Sequence, residues 1–129
     1  MERLTGLDAA FLYLETPTHH MHVAMTMVID PSTMVGGYSF EKMRTHIAER
    51  VPLVKELTRT VVEVPFRLDH PVWADDPTFD LGYHLRREQV SSREEMLAQA
   101  AQIALRPFDR SRPLWEGVLF EGVGDGAAY

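Results

Sequence analysis

The chain has 129 residues, of which 45% are hydrophobic and 25% are charged, a balance typical of one globular domain or part of one. Its net charge of −6 argues against nucleic-acid binding, because no positive field would attract a phosphate backbone. Cysteine is absent, which excludes disulfides and thiolate chemistry. No apolar run approaches the roughly 18 residues of a membrane-spanning helix, and the N-terminus lacks the basic and apolar regions of a leader. We therefore expect a soluble, cytoplasmic protein, with peripheral membrane contact left open.

The N-terminal part of the chain predicts a helix followed by a strand. Apolar residues at helical spacing, with Thr5 and Asp8 as a capping pair, predict a helix over about residues 7–14. In HMHVAMTMVID, strict alternation predicts a strand over residues 21–29. One face of this strand could form plain core or line an acyl channel, since methionine accommodates flexible apolar chains. The residues of that face are Met21, Val23, Met25, Met27 and Ile29.

The remaining elements are predicted to alternate between helices and strands. Ser39 is expected to cap a helix that reaches Val51, and LTRTVVEV to form the next strand. After YHLRREQV, which is expected to be extended, a capping box at Ser92 predicts a helix that must end before Pro107. A last strand is expected over residues 114–121, followed by a hairpin-type turn in GVGDG. Only three residues follow that turn, so the chain looks cut within a hairpin.

Three of the six histidines lie within TPTHHMHV. On a strand, His20 and His22 would leave the same face about 6.5 to 7 Å apart and could chelate a metal if a third ligand converged. Only folding could bring in such a ligand from the candidates Asp30, Asp69, His70 and His84. The alternative is that His22 packs beneath a neighbouring element while His19 and His20 lie in the preceding loop. We favour this alternative and expect no metal site.

Two other clusters admit both a functional and a structural interpretation. Asp75, Asp76 and Asp80 could pair for acid–base chemistry, but Pro77 lies among them and favours a turn. The arginines of LRRE and RPFDRSRP could bind phosphates or an anionic lipid surface. The acidic residues interspersed with them favour a solvated, partly ion-paired surface instead.

Three stretches together resemble the bacterial wax ester synthase/acyl-CoA:diacylglycerol acyltransferase family. They are LTGLDAAFLYLETPTHHMHVA, FDLGYHLRRE and RPFDRSRPLWEGVLFEG, in the order and spacing of that family. Gly6 stands where the family often has proline, a difference that concerns helix capping. The resemblance implies that residues of the most specific fragments support a motif or line a substrate channel. These residues are Asp8, His22, Pro113, Leu114 and Trp115.

The family's catalytic signature is HHxxxDG, and the adjacent histidines of this chain do not satisfy it. In the frame that begins at His19, Ala24 and Met25 stand where aspartate and glycine belong. In the family, the motif follows the strand after PLWE, beyond a hairpin. No catalytic residue is therefore assigned to any position of this chain.

The resemblance implies an α/β fold with a mixed sheet flanked by helices, like the chloramphenicol-acetyltransferase-like, CoA-dependent acyltransferases. Residues 1–129 would form the first part of its N-terminal domain. The implied reaction transfers a fatty acyl group from acyl-CoA to diacylglycerol or a long-chain alcohol, with a motif histidine as general base and no cofactor. Residues 1–129 alone are expected to be inactive, because that histidine is missing from them.

The resemblance also bears on partners and leaves alternatives. The strand over residues 114–121 should pair with the remainder of the chain or with a second copy, and contact with a membrane or lipid droplet is possible. Polyketide-associated acyltransferases and peptide-synthetase condensation domains share the implied fold, although LDAAFLYLE and PLWE favour the lipid enzyme. A truncated, non-catalytic scaffold is the remaining alternative, which a longer reading frame containing HHxxxDG would exclude.

Overall fold

The computed structural model describes residues 1–123, in which short helices and strands are joined by loops and 3₁₀ turns. In chain order the elements are β1 (Glu2–Arg3), α1 (Gly6–Leu14), α2 (Phe40–Ala48), β2 (Arg59–Val62), β3 (Val72–Asp75), α3 (Leu81–His84), β4 (Leu85–Gln89), α4 (Arg93–Ala104) and β5 (Gly117–Glu121). The α/β class predicted from the sequence is confirmed. The longest of these helices, α4, has 12 residues, and no helix within residues 1–123 could cross a bilayer.

The chain divides into two compact units, and the first contains a three-stranded antiparallel sheet. This unit comprises Met1–Val23, Val51–Phe79 and Arg106–Trp115. Its strand order is β1–β3–β2, so that Trp73 of β3 lies opposite Glu2 on one side and Val61 on the other. Leu4 and Pro71 are buried, and the Leu4 N–H donates to the Pro71 carbonyl at 2.9 Å. This bond continues the β1–β3 pairing beyond the short strand.

Helix α1 of the first unit forms close to where the sequence predicts it. Thr5 Oγ1 accepts a hydrogen bond from the Asp8 backbone N–H at 3.2 Å and donates one to the Asp8 carboxylate at 2.6 Å. This capping pair satisfies a donor that the first helical turn would leave unpaired. Ala9 is the buried residue of the helix, whereas Leu7 and Leu14 remain exposed.

The second unit is built on a parallel pair of strands. It comprises Ala24–Arg50, Asp80–Leu105 and the described residues from Glu116 onward. β4 and β5 pair in parallel, with Leu85 opposite Gly117. One face of this pair packs against α4 in a cluster of Val90, Met96, Phe120 and Val123. Most of the core of this unit therefore lies between one helix and two strands.

The caps of α2 and α4 are those predicted. Ser39 accepts a hydrogen bond from the Lys42 N–H, and Ser92 accepts one from the Glu95 N–H at 3.1 Å. The Glu95 carboxylate, however, accepts from the backbone N–H and hydroxyl of Ser91 rather than from the N–H of the capping residue. In a capping box this carboxylate would accept from the N–H of Ser92, so the observed contact lies one residue earlier in the chain.

The predicted strand over residues 21–29 is wrong. No strand is assigned at residues 21–28, and Ile29 is only an isolated bridge position. Val23 is 91% exposed and Met25 76%, so the alternating segment is not core either. A strand needs a neighbour to pair with its N–H and C=O groups, and no strand within residues 1–123 pairs with residues 21–28. Alternation of apolar and polar residues predicts which side chains share a face, but it does not predict a neighbouring strand.

Two boundaries of helices also differ from the prediction. The helix capped by Ser39 ends at Ala48, and Val51 lies buried in a separate 3₁₀ turn, Val51–Leu53. YHLRREQV begins as the end of α3 and becomes extended only at Leu85. The cause is Asp80, whose carboxylate accepts from the Gly82 N–H at 2.9 Å and so starts a short helix.

The last strand is shorter than predicted. It begins at Gly117 rather than Leu114, because the preceding residues turn, with the Trp115 N–H donating to the Pro113 carbonyl at 2.9 Å. Residues 124–126 of the predicted GVGDG turn lie outside the described residues. The turn predicted around Asp76 is confirmed, since its carboxylate accepts from the Thr78 N–H at 2.8 Å.

Candidate functional site

The three-histidine segment reverses direction immediately after α1. Thr16 and His19 exchange both backbone hydrogen bonds, at 2.9 and 3.1 Å, with Pro17 between them at the turn. Proline fits here because its fixed φ favours the first central position of a turn. The reversal brings the residues after His19 back toward the C-terminal end of the helix.

The residues gathered at this point form what we call the histidine cluster. All belong to the first unit: Glu15, His20, His22, Phe108 and Arg110. The rings of His20 and His22 are stacked, with centroids 5.5 Å apart and planes at 11°. The His22 ring also meets Phe108 at 4.8 Å and 53°. The half-buried His22 is therefore held by ring contacts on both sides, as the packing interpretation predicts.

Arg110 supplies the electrostatic centre of the cluster. Its Nη2 donates to Glu15 Oε2 at 2.8 Å and to the Leu12 carbonyl at 2.9 Å, while Nη1 lies 4.0 Å from a carboxylate oxygen of Glu63. The Leu12 carbonyl lies in the last turn of α1, where carbonyls lack helical partners and the dipole favours a cation. The arginine thus satisfies both a helix end and a carboxylate.

Glu15 is the other charged member of the cluster. The hydrogen bond from Arg110 lowers its pKa below the usual glutamate value, although partial burial opposes this effect. Its second oxygen lies 3.7 Å from His20 Nδ1, too long for a hydrogen bond. Because the carboxylate is already bound by Arg110, it is poorly placed to activate the imidazole as a general base.

In the described part of the chain, no third ligand joins the two stacked histidines. Within residues 1–123, no group of three or more His, Asp or Glu side chains is arranged to hold a metal ion. Asp30 instead caps a 3₁₀ turn by accepting from the Ser32 N–H, and His70 Nδ1 lies 3.4 Å from the Tyr13 hydroxyl. These two candidate ligands are thus engaged elsewhere.

The PLW fragment is held in the first unit by burial and by a side-chain hydrogen bond. Pro113 is buried, Leu114 is half-buried, and Trp115 Nε1 donates to the Leu57 carbonyl at 2.8 Å. Upstream, the Asp109 carboxylate accepts from the Ser111 N–H at 2.9 Å, which tightens the turn that carries Arg110. The stretch RPFDRSRPLW is therefore a series of turns that holds Arg110 at α1 and Trp115 at the loop before β2.

The five residues predicted to support a motif or line a channel all belong to the first unit. His22 lies in the histidine cluster, Trp115 donates to the Leu57 carbonyl, and exposed Asp8 pairs with the capping residue Thr5. Their role in a substrate channel stays a prediction. The sequence analysis did not link Glu15, Phe108 and Arg110 to the histidines. Glu15 and Arg110 are 95 positions apart, and no local pattern of residues indicates that they pair.

Two arginines of LRRE and RPFDRSRP form ion pairs, in agreement with the interpretation of a partly ion-paired surface. Arg86 Nη2 donates to Glu116 at 2.8 Å, and Arg110 binds Glu15 at the same distance. Arg87 lies over the Phe40 ring, 5.3 Å from its centroid. These side chains are used within their own units rather than presented together as a phosphate site.

Comparisons with known proteins agree on one family. The family model described as the wax ester synthase/diacylglycerol acyltransferase catalytic domain matches residues 4–128. The putative diacylglycerol O-acyltransferase Rv1760 of Mycobacterium tuberculosis is 41% identical over 125 residues, which cover 95% of this chain and 25% of that protein. For Rv3087 of the same organism, the identity is 38% over 129 residues, covering 98% of this chain and 27% of the relative.

A solved structure shares the fold. The wax ester synthase/diacylglycerol acyltransferase from Marinobacter aquaeolei VT8 matches 99% of this chain and 31% of its own with a TM-score of 0.66 and 23% sequence identity. The chain spans about a quarter of the length of Rv1760 and of Rv3087.

Proposed function

Because the chain belongs to the wax ester synthase/diacylglycerol acyltransferase family, we propose that it is part of an enzyme that transfers a fatty acyl group from acyl-CoA to an alcohol. The acceptor would be diacylglycerol or a long-chain alcohol, and the product triacylglycerol or wax ester. The observation that carries the proposal is the family match over residues 4–128. The names of the relatives favour this lipid reaction over polyketide-associated acyl transfer and peptide condensation.

The proposed chemistry needs a general base and an oxyanion site, but no resident metal or redox cofactor. A base removes the proton of the acceptor hydroxyl, whose oxygen attacks the thioester carbon, and CoA leaves as the tetrahedral oxyanion collapses. The HHxxxDG motif that supplies the base in the family is not among these 129 residues. We therefore assign the present residues a supporting role, in which Arg110 and Trp115 hold the first unit together.

Partners and location follow from the same proposal. Diacylglycerol and long-chain alcohols dissolve poorly in water, so a cytoplasmic enzyme that uses them would work in contact with a membrane or lipid droplet. β5 pairs with β4 along one edge, and no other strand within residues 1–123 pairs with it. We propose that the second edge is covered by the remainder of a longer chain or by a second copy, since its N–H and C=O groups are a template for pairing.

A chimera tests the proposed function. The aligned quarter of Rv1760 is replaced by this chain, and CoA release is followed with acyl-CoA and either diacylglycerol or a long-chain alcohol. We expect turnover within about tenfold of intact Rv1760, because the two segments are 41% identical. A matched chimera carrying Trp115→Ala should unfold at lower temperature, since it loses the hydrogen bond to Leu57. A well-folded but inactive parent chimera, beside active Rv1760, would contradict the proposal.

A further inference from the structure

The loop between β2 and β3 presents two large apolar side chains to solvent. Phe66 is 94% exposed and Leu68 is 81% exposed. Arg67, also exposed, lies between them in sequence. Single exposed apolar residues are common, but two of this size, one residue apart at a loop tip, indicate a contact surface. We call residues 66–68 the loop tip.

The backbone of the loop tip is strained. Phe66 has a φ of 58° and Arg67 a φ of 53°, both in the left-handed region that bulky side chains rarely adopt. Two backbone hydrogen bonds hold this conformation: the Arg67 N–H donates to the Val64 carbonyl at 3.0 Å, and the Leu68 N–H donates to the Pro65 carbonyl at 3.4 Å. Strain of this kind persists where neighbouring structure imposes it, and it concentrates at functional sites.

A shallow cavity of about 490 Å³ lies beside the loop tip. Its lining residues are Tyr13, Arg67, Leu68, Asp69 and His70. Asp69 is engaged, because both its oxygens accept from Arg3 at 3.1 Å and one also accepts from the His70 N–H. Arg67 takes part in none of the ion pairs described for residues 1–123, so its guanidinium is available to an anion at the cavity edge.

We propose that the loop tip docks the chain on a phospholipid surface that contains anionic lipids. Phe66 and Leu68 enter the acyl region, and Arg67 meets the headgroup phosphates beside the cavity. An apolar–cationic–apolar triplet matches the boundary between acyl chains and phosphates. A protein partner fits less well, because three side chains are far fewer than the roughly 20 to 30 residues that each side of a stable protein interface contributes.

The docking proposal deepens the proposed function and rests on it, but membrane binding can be measured without acyl-CoA. The net charge of −6 means that the protein as a whole repels an anionic surface. Binding must therefore come mainly from insertion of the two apolar side chains, with a smaller contribution from Arg67. Moderate affinity that weakens partly with added salt is the expected behaviour.

Vesicle flotation of the 129-residue chain tests the docking. Vesicles of phosphatidylcholine are used with and without phosphatidylglycerol, and the chain should float with the mixed vesicles. The double substitution Phe66→Ser with Leu68→Ser should lower the partition coefficient at least about tenfold. Arg67→Gln should lower it about fivefold on mixed vesicles only. Val35→Ser is the matched control, because Val35 is 95% exposed in the second unit.

A tryptophan at position 66 reports the insertion directly. Phe66→Trp should be quenched by brominated lipids more strongly than the native Trp73 and Trp115. Soluble glycerophosphate should not compete with the vesicles, which separates a lipid surface from a site for free phosphate. Melting followed by circular dichroism shows whether each variant is folded, and the exposed positions make unfolding unexpected.

Four outcomes would overturn the docking proposal. They are no flotation of the folded wild-type chain, an equal loss in Val35→Ser, full competition by glycerophosphate, and an effect of the two serine substitutions on self-association alone. The last outcome would identify a protein as the occupant. An inactive Rv1760 chimera together with vesicle binding would contradict only the proposed function, and an active chimera without vesicle binding only this inference.

Discussion

Arg110 joins two stretches of the chain that are far apart in sequence, by donating to the Glu15 carboxylate and the Leu12 carbonyl. The sequence places this arginine among residues that could meet a phosphate. The structure places it at the C-terminal end of α1, where the helix and Glu15 already supply negative charge. It therefore holds the histidine cluster in place rather than binding an external anion.

The Glu15–Arg110 pair predicts a pH-dependent stability. Because the folded-state pKa of Glu15 is lowered, its contribution is present above the ordinary glutamate pKa of about 4.3 and is lost as the pH falls through the lowered value. Arg110→Met should reduce the free energy of unfolding by about 1 kcal/mol at pH 7, a modest figure because Arg110 is nearly half exposed. Urea titrations at pH 7 and at about pH 3 should show this difference shrinking in acid.

Arg44→Met is the matched control for that measurement. It removes an exposed pair with Glu41 at 3.6 Å and should change the free energy of unfolding by less than about 0.5 kcal/mol. A loss in Arg110→Met that is equally large at both pH values would show that packing, not the carboxylate, is responsible.

The hydroxyl of Tyr38 is expected to ionise at an unusually high pH. Burial, together with its hydrogen bond to Glu121 at 2.7 Å, raises the pKa of its hydroxyl to about 12. In a spectrophotometric titration, one of the four tyrosines should ionise last, and Tyr38→Phe should remove that step. The stabilisation is present below the unfolded-state value of about 10 and is lost as the pH rises through the folded value. If the late step survives in the variant, the assignment to Tyr38 is wrong.

Among the elements, the parallel β4–β5 pair organises the second unit. Phe120 of β5 packs with Val90 and Met96, while the strand that would cover the other edge of β5 is not within residues 1–123. Gly122 ends β5 with a φ of 89°, and a Cβ at this position would collide with the Val90 carbonyl oxygen. Only glycine therefore fits this close approach of two backbones.

Gly122→Ala should be strongly destabilising. The added methyl group combines left-handed strain with a backbone clash, so we expect a loss of about 2 to 3 kcal/mol in the free energy of unfolding. Gly37→Ala is the matched control, because Gly37 has a similar φ of 74° but no atom within 4 Å of the added Cβ. That control should lose only about 1 kcal/mol. Equal losses in urea denaturation would indicate that the clash is relieved by local movement.

At the scale of the whole molecule, these 129 residues alone should show no acyl transfer. They lack the HHxxxDG sequence, and loss of a general base typically costs about 10² to 10⁴ in rate. The purified chain is assayed for CoA release with acyl-CoA and diacylglycerol beside intact Rv1760. Comparable turnover by the chain would refute both this expectation and the assignment of the motif.

The second edge of β5 predicts self-association of the isolated chain. Within residues 1–123 no strand pairs with the N–H and C=O groups of this edge, so they can pair with another copy. Each apolar side chain that loses its cover is worth about 1.5 to 3 kcal/mol, which is large beside a domain stability of about 5 to 15 kcal/mol. Light scattering should detect dimers or larger species. A dispersed monomer with a cooperative melt would show that the edge is protected within the chain itself.

The sequence by itself determined the local features and the family. Thr5, Ser39 and Ser92 cap their helices as predicted, because a cap depends on residues two or three positions away. The α/β class and the likeness to the acyltransferases could be read for the same reason, from motifs that are contiguous in the chain. The packing of His22 was predicted, but not the identity of Phe108 as its neighbour.

Only the tertiary structure decided which distant segments meet. It pairs Leu85 with Gly117 and binds Arg110 to Glu15, and within residues 1–123 it pairs no strand with residues 21–28. Alternation over those residues states which side chains share a face, but a strand exists only when another backbone accepts and donates its hydrogen bonds. Whether another strand lies close enough to pair depends on the path of the entire chain, which a local pattern of residues does not determine.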